Sequence, residues 1–293
     1  MNKKVLFIGL TTVDIQHFVT VFPSPNQKIK TEPPHVYVGG PAANAAVTFS
    51  FLGGEADFIS CVGCNPFTDF IVDDIKRNGV KLIDFRSRNN FSPVISSVLT
   101  TLNSNDRSIV SHLPEKIIIN DEDIGSVNLD EYEIVFSDGF YPEISIPICK
   151  KAKEKGISVV YDGGSWKPGA EEILKNVDFA ICSENFYPPG YDKSEDVLKF
   201  LKGSGIKNSA ITRGENSIIF YENDYSDTIE IEQVNTKDSL GAGDIFHGAF
   251  IWYLKNGNDF RDSLVKASKI ATYSTKHKGT RSWMNTFSDK SFI

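Results

Sequence analysis

Seven residues, Asp238-Ser239-Leu240-Gly241-Ala242-Gly243-Asp244, carry the strongest chemical signal in the chain. Two carboxylates bracket a run with two glycines. An apolar-rich segment of helical spacing, Ile245-Phe246-His247-Gly248-Ala249-Phe250, follows at once. A glycine turn that feeds a helix start aims backbone N–H groups outward, and the helix dipole adds partial positive charge there. Such a cradle holds an anion, most often a phosphate. Asp244 sits at its mouth, an awkward place for a carboxylate unless it has work to do. Acting as the base that activates a hydroxyl for phosphoryl transfer is such work. The competing explanation is a plain helix N-terminal carboxylate, stabilised by about 0.3–1 kcal/mol through the dipole. The adjoining Gly-Ala-Gly and the second carboxylate, Asp238, favour chemistry.

Two further places could meet a ligand. Residues 3–10 form an apolar strand, and Asp14 falls just past its end. Ligands of open α/β sheets gather at that edge, although a turn carboxylate reads the same way. Then comes Val38-Gly39-Gly40-Pro41-Ala42-Ala43-Asn44. The glycines permit an unusual backbone, Pro41 suits a helix start, and the small residues let that helix approach something closely. Asn44, on its first turn or so, offers a donor and an acceptor.

The elements that must position these residues alternate. Strand 56–62, helix 67–78 and strand 80–85 set a β/α rhythm, which breaks and then resumes from strand 133–137 to the end. The late part holds strands 157–161, 177–182, 208–211, 216–221 and 227–232 and helices 143–155, 193–202, 241–256 and 259–277. In the break, residues 93–102 and 107–112 read as a hairpin around Asn103-Ser104-Asn105-Asp106. Residues 15–38, with Pro23, Pro25, Pro33 and Pro34, read as short, exposed strands or an edge ribbon. Together they suggest one α/β domain over 1–293 with a small inserted β-sheet lid from about 15–38 and 92–113. One lid face would cover a polar ligand, and the apolar one would pair with a second copy. Ser97, Thr101, Arg107 and His112 are the lid side chains whose direction decides selectivity.

Composition narrows the partners. A net charge of −7, with 40% hydrophobic and 24% charged residues in 293, suits a globular protein. It argues against nucleic-acid and anionic-membrane partners. The apolar run after Lys3-Lys4 is too short for a secretory signal, and no stretch approaches the ~20 apolar residues of a membrane span. The expectation is a cytoplasmic protein. Cys61, Cys64, Cys149 and Cys182 read as buried free thiols at strand ends, because no second close pair or nearby histidine completes a zinc site. The five histidines are scattered, with His247 structural. There is no Walker P-loop, nucleophile elbow or H-E-x-x-H.

The Asp238–Asp244 run resembles the D-[ST]-x-G-A-G-D signature of the ribokinase-like (PfkB) carbohydrate kinases. Val38-Gly39-Gly40 with Asn44 is similar to that family's N-terminal glycine-pair motif. The two stand in the right order, about 200 residues apart, and the resemblance spans nearly the whole chain. It implies an α/β ribokinase-like three-layer α/β/α domain with a central mostly parallel sheet and a small β-sheet lid. It implies ATP-dependent phosphorylation of a sugar hydroxyl, on a ketose or pentose. Asp244 would be the base, and Gly241, Ala242 and Gly243 the anion hole. Asp14, Gly39, Gly40, Asn44 and Asp238 would serve the sugar. Thr212 and Gly214 match a nucleotide-phosphate loop, with Arg213 facing either the phosphates or solvent. Magnesium, potassium near Asp238 and a homodimer through the lid belong to the same expectation. One departure concerns the metal: Ser183 and Phe186 stand where many members carry Asn and Glu, and Glu184 and Asn185 do not restore the order. A nucleoside kinase of this fold and a non-catalytic sugar-binding regulator are the alternatives.

Overall fold

Lys-Val-Leu-Phe-Ile, residues 4–8, has almost no polar break, as a strand covered on both faces requires. In the computed structural model, which describes residues 3–87, 89–104 and 106–288, this segment is the inner strand β1 (Lys4–Ile8). Successive side chains take opposite faces: Val5 and Phe7 enter one core, Leu6 and Ile8 the other. After it come β2 (Thr12–Val19), β3 (His35–Gly39), α1 (Pro41–Phe51), β4 (Ala56–Ser60), α2 (Thr68–Arg77) and β5 (Lys81–Asp84). Then follow β6 (Val94–Thr101), β7 (Arg107–Ser111), a short α3 (Asp121–Gly125), β8 (Tyr132–Ser137), α4 (Pro142–Glu154), β9 (Ser158–Gly163) and a short α5 (Ala170–Leu174). The chain continues through β10 (Phe179–Ser183), α6 (Ser194–Gly203), β11 (Asn208–Arg213), β12 (Asn216–Glu222), β13 (Tyr225–Ile229), α7 (Ala242–Lys255) and α8 (Phe260–Ser274).

Nine strands form the main sheet in the order β13-β12-β11-β10-β9-β8-β1-β4-β5. All neighbours are parallel except β11–β12 and β12–β13. One core lies under α1, α2, α7 and α8, the other under α3 to α6, which makes three layers. No helix among the described residues is long and apolar enough to cross a membrane.

A second sheet, β3-β2-β6-β7, stands at the C-terminal edge of the first, because β2 starts four residues after β1 ends. Asp14 lies past the end of β1, as expected, but it also lies inside β2, buried and paired with Tyr37 and Ser96. One expectation needs correction: β3 is an edge strand, but β2 is not, since it pairs with β3 on one side and β6 on the other. The prolines misled that reading. All four fall in the connection at 20–34, outside both strands. Asn105 of the hairpin turn lies outside the described residues. The outer face of this sheet, expected to meet a second copy, exposes Val36 and Val110. The thiols also differ from expectation: Cys64 is exposed and Cys149 lies within α4.

Candidate active site

Helices α1 and α7 touch closely enough that a Cβ on Gly248 would sit 2.3 Å from the Ala45 carbonyl oxygen. The small residues of both helices permit this approach. It joins two residues 200 positions apart: Asn44 Nδ2 donates to Asp244 Oδ2 at 2.7 Å. Gly241, at φ 72°, ends the incoming turn and starts α7. The first amides of a helix have no carbonyl one turn ahead to bond. The Ala242 amide bonds the Ser239 carbonyl at 3.3 Å, and Gly243, next along the first turn, is exposed. Asp244 is partly buried, and its pKa is pushed up to about 7. Burial is the first cause and the nearby Asp162 carboxylate the second; the Asn44 hydrogen bond and His247 oppose them. Such a carboxylate is poised to exchange a proton near neutrality.

Asp14 faces the same cleft from the small sheet. Its Oδ1 accepts from Thr12 Oγ1 at 2.7 Å, and the Ser96 hydroxyl also bonds it. Burial raises its pKa; those two hydroxyls and the Arg281 charge work against the rise. Gly39 lies opposite Thr12, and a Cβ there would fall 2.0 Å from Asp14 Oδ2. The first glycine of the pair is therefore the space that the carboxylate occupies. Among the lid candidates, Ser97 is exposed and lies one position off the Asp14–Ser96 face. His112 is exposed too, with Nε2 accepting from the Ile95 amide at 3.3 Å. Arg107 is exposed at the sheet's outer edge, and Thr101 bonds Ser104 within its own hairpin. Ser96 was missed because strand parity decides it, and one residue of register moves every side chain to the other face.

Asp238 is adjacent and is held by three N–H donors. Its Oδ1 accepts from the Leu240 amide at 3.0 Å, and its Oδ2 from Gln16 Nε2 at 3.0 Å and the Gly279 amide at 2.8 Å. It is buried and ties β2 and the turn after α8 to the cradle. That turn supplies a residue no motif announced. Arg281 Nη1 donates to Asn44 Oδ1 at 2.7 Å. A lone arginine after a glycine, beyond the last helix, is too weak a sequence signal to single out. Asp138 and Asp162, at the ends of β8 and β9, were missed as well. Asp138 accepts the amides of Leu10, Ala42 and Phe140, and burial pushes its pKa up to about 6. His247 sets its two ring nitrogens on the Gly243 and Ile181 carbonyls, a structural tie of α7 to β10.

On the other side of the cleft, Thr212 and Arg213 end β11, with Ser183 of β10 beside Thr212. The Thr212 hydroxyl bonds the Cys182 carbonyl at 3.3 Å. Arg213 folds back, with Nε 2.8 Å from the Ser217 carbonyl and Nη2 3.0 Å from Ser217 Oγ. Neither expected orientation of Arg213 describes it. Gly214 turns the chain at φ 61°. Phe186 is wholly buried against Tyr161 and Trp166 and binds no metal. Among the described residues, no group of three or more His, Cys, Asp or Glu could hold a metal ion.

A mostly parallel sheet, a small sheet over its C-terminal edge and a glycine cradle beside a carboxylate define a ribokinase-like fold. The model of the pfkB family of carbohydrate kinases matches residues 2–286, and the chain belongs to that family. It is a carbohydrate kinase, a transferase. A ribokinase of Staphylococcus aureus (strain COL) is 24% identical over 304 residues, which cover 96% of this chain and 96% of the relative. A structure of Arabidopsis thaliana ribokinase complexed with ribose and ATP matches with TM-score 0.77 at 19% identity, over 95% of this chain and 94% of that one. An adenosine kinase from Sinorhizobium meliloti matches with TM-score 0.81 at 18% identity, over 98% of each chain. The structural likenesses speak for the fold.

Proposed function

We propose that this kinase transfers the γ-phosphoryl group of ATP to a hydroxyl of a small sugar, a pentose or ketose, with Asp244 as the general base. One observation carries the reading: a carboxylate with a pKa near 7, oriented by Asn44, at the open N-terminus of α7. The acceptor hydroxyl gives its proton to Asp244 as its oxygen attacks phosphorus in line, and the leaving oxygen stays with ADP. The N–H groups at the start of α7, those of Gly243 and Asp244, hold the transferring phosphoryl oxygens with the helix dipole; the expected Ala242 amide instead donates to the Ser239 carbonyl at 3.3 Å. Asp14, with Ser96 beside it, accepts from sugar hydroxyls, while Gly39 and Gly40 let the backbone come close. The small sheet, closed over the sugar, excludes the water that would compete as acceptor. The Arabidopsis ribokinase complexed with ribose and ATP supports both substrates.

Magnesium fits in one way. With no protein cage among the described residues, the ion would be held by nucleotide phosphates and water and would neutralise charge on the transferring group; Asp162, 3.7 Å from His247 Nδ1, is the carboxylate that acts most strongly on Asp244. Potassium fits poorly, because Asp238 already accepts three N–H donors.

The test is ADP release with magnesium and ATP over D-ribose, 2-deoxy-D-ribose, D-fructose and adenosine. A sugar is expected to be turned over, and Asp244→Asn to lower kcat by about 10²–10⁴-fold with little change in sugar KM. Near-normal turnover by that variant would overturn the base assignment. Turnover of adenosine alone would make the chain a nucleoside kinase, and sugar binding without ADP release a regulator.

A further inference from the structure

Arg281 is 237 residues from Asn44 in sequence, yet its guanidinium is built into the site from several sides. Nη1 donates to Asn44 Oδ1 at 2.7 Å and to Thr280 Oγ1 at 3.2 Å; Nη2 donates to the Val38 carbonyl at 3.2 Å. Asp74 Oδ2, on α2, lies 3.5 Å from Nη2. The turn that delivers it is anchored on both sides. The Gly279 amide bonds Asp238 at 2.8 Å, and the wholly buried Trp283 donates from Nε1 to the Thr280 carbonyl at 3.2 Å. Thr280 packs against Gly241, with Cγ2 only 2.7 Å from where a Cβ would be.

Donor and acceptor chemistry makes this arrangement directional. A guanidinium has N–H donors and no acceptor, so the Asn44 atom that it meets must be the carbonyl oxygen. The amide nitrogen then points the other way, onto Asp244 Oδ2. Flipped, Asn44 would turn its N–H₂ toward the cation and its oxygen toward the carboxylate, and both contacts would repel. With Oδ2 engaged by Asn44, Oδ1 is the oxygen left for an incoming hydroxyl.

We propose that Arg281 is a positioning residue for phosphoryl transfer: through the Asn44 amide it fixes which oxygen of Asp244 takes the acceptor's proton. The contact with Val38, on β3, ties that choice to the root of the small sheet. The proposal rests on Asp244 being the base. The charged and titratable groups around it come from every neighbouring element. Asp162, Asp14, His247 and Arg281 act on Asp244, while Asp74, Asp14 and Asp244 act on Arg281.

The experiment cuts the chain at two links, with Arg281→Met and Asn44→Ala, and includes Arg281→Lys and the double variant. The first readout is the titration midpoint of the Asp244 carboxyl by ¹³C NMR in ligand-free protein. The second is kcat and KM with D-ribose and ATP. Each single cut is expected to raise the midpoint by about one pH unit, the size of one hydrogen bond lost from the charged form. Each should also lower kcat about tenfold at pH 7 with ATP KM unchanged. The double variant should shift less than the sum of the single cuts, because both sever the Asn44 path and only the direct charge of Arg281 on Asp244 adds to it. Arg281→Lys, which keeps charge without the fork, should fall between. A midpoint unmoved in Asn44→Ala, or fully additive effects, overturns the proposal. Asn44→Ala decides alone if Arg281→Met does not fold, since it leaves the contacts to Asp74 and Val38 in place. Failure of the base assignment is separate: it shows as an active Asp244→Asn. An inactive Asp244→Asn with an unmoved midpoint in Asn44→Ala sinks only the positioning role.

Discussion

Two borders of the cleft treat their polar side chains in opposite ways. On one side, Asn44, Asp244 and Arg281 hold one another across α1 and α7, and Asp14 is held by Thr12 and Ser96 on the small sheet. On the β11 side, the Thr212 hydroxyl and the Arg213 guanidinium bond their own sheet. The difference teaches where discrimination resides. A sugar hydroxyl must be met by particular side chains at fixed angles, and such groups work best when neighbours already hold them. A phosphate can be met by backbone N–H groups alone, so the loop that borders it needs only the right turn.

Removing a side chain from the first border should therefore cost most. Asp14→Ala is expected to lower kcat/KM for the sugar by about 10- to 100-fold, the worth of one or two hydrogen bonds to a charged group. ATP KM should not change. Gly39→Ala should give the same split, since its methyl would occupy the place of Asp14 Oδ2. Steady-state kinetics with both substrates varied decides it, and an equal rise in both KM values breaks the comparison.

A smaller effect concerns stability. The pKa of Asp244, about 7 in the folded chain, lies above the ordinary carboxylate range. Between roughly pH 4 and 7 the folded chain therefore holds a proton that the unfolded chain has released. A raised carboxylate makes stability fall as pH rises through that window. The loss is absent below it and complete above it. Asp138, at about 6, acts in the same direction. Asp244→Asn removes one source, so its Tm should exceed that of the unmodified chain at pH 8 and match it at pH 4. A Tm difference that does not vary with pH removes the electrostatic cost assigned to the base.

The ease of reading the sequence follows the same divide. The phosphate cradle and the glycine pair were legible because each is a contiguous run whose backbone chemistry is local. The main sheet was legible because β1 is a nearly unbroken apolar segment and the later strands alternate with helices. What stayed hidden depends on register or on contacts across the chain. Ser96 and Ser97 cannot be told apart until β6 is set beside β2. Asp14 lies past the end of the first strand as expected, but that a second strand starting at Thr12 carries it into another sheet is not visible in the residues between. Arg281 becomes visible only when α1, α7 and the last turn are brought together. Asp238 is expected near the sugar from its place in the signature; that it also ties β2 and the turn after α8 to the cradle depends on contacts the sequence does not show.

The smallest effect belongs to the β11 border and tests the comparison most directly. Arg213 touches Ser217 through Nε and Nη2, so Arg213→Ala removes two hydrogen bonds within a hairpin. A stability loss of about 1–2 kcal/mol follows from two ordinary bonds of this kind. ATP KM should change by less than about threefold if, as proposed, the phosphates are met by the α7 amides and not by this side chain. A tenfold rise in ATP KM with unchanged sugar KM would mean that Arg213 leaves Ser217 when nucleotide arrives. The two borders would then differ only before ATP is bound, and the preorganised side would be the exception within a site that otherwise closes on its substrates.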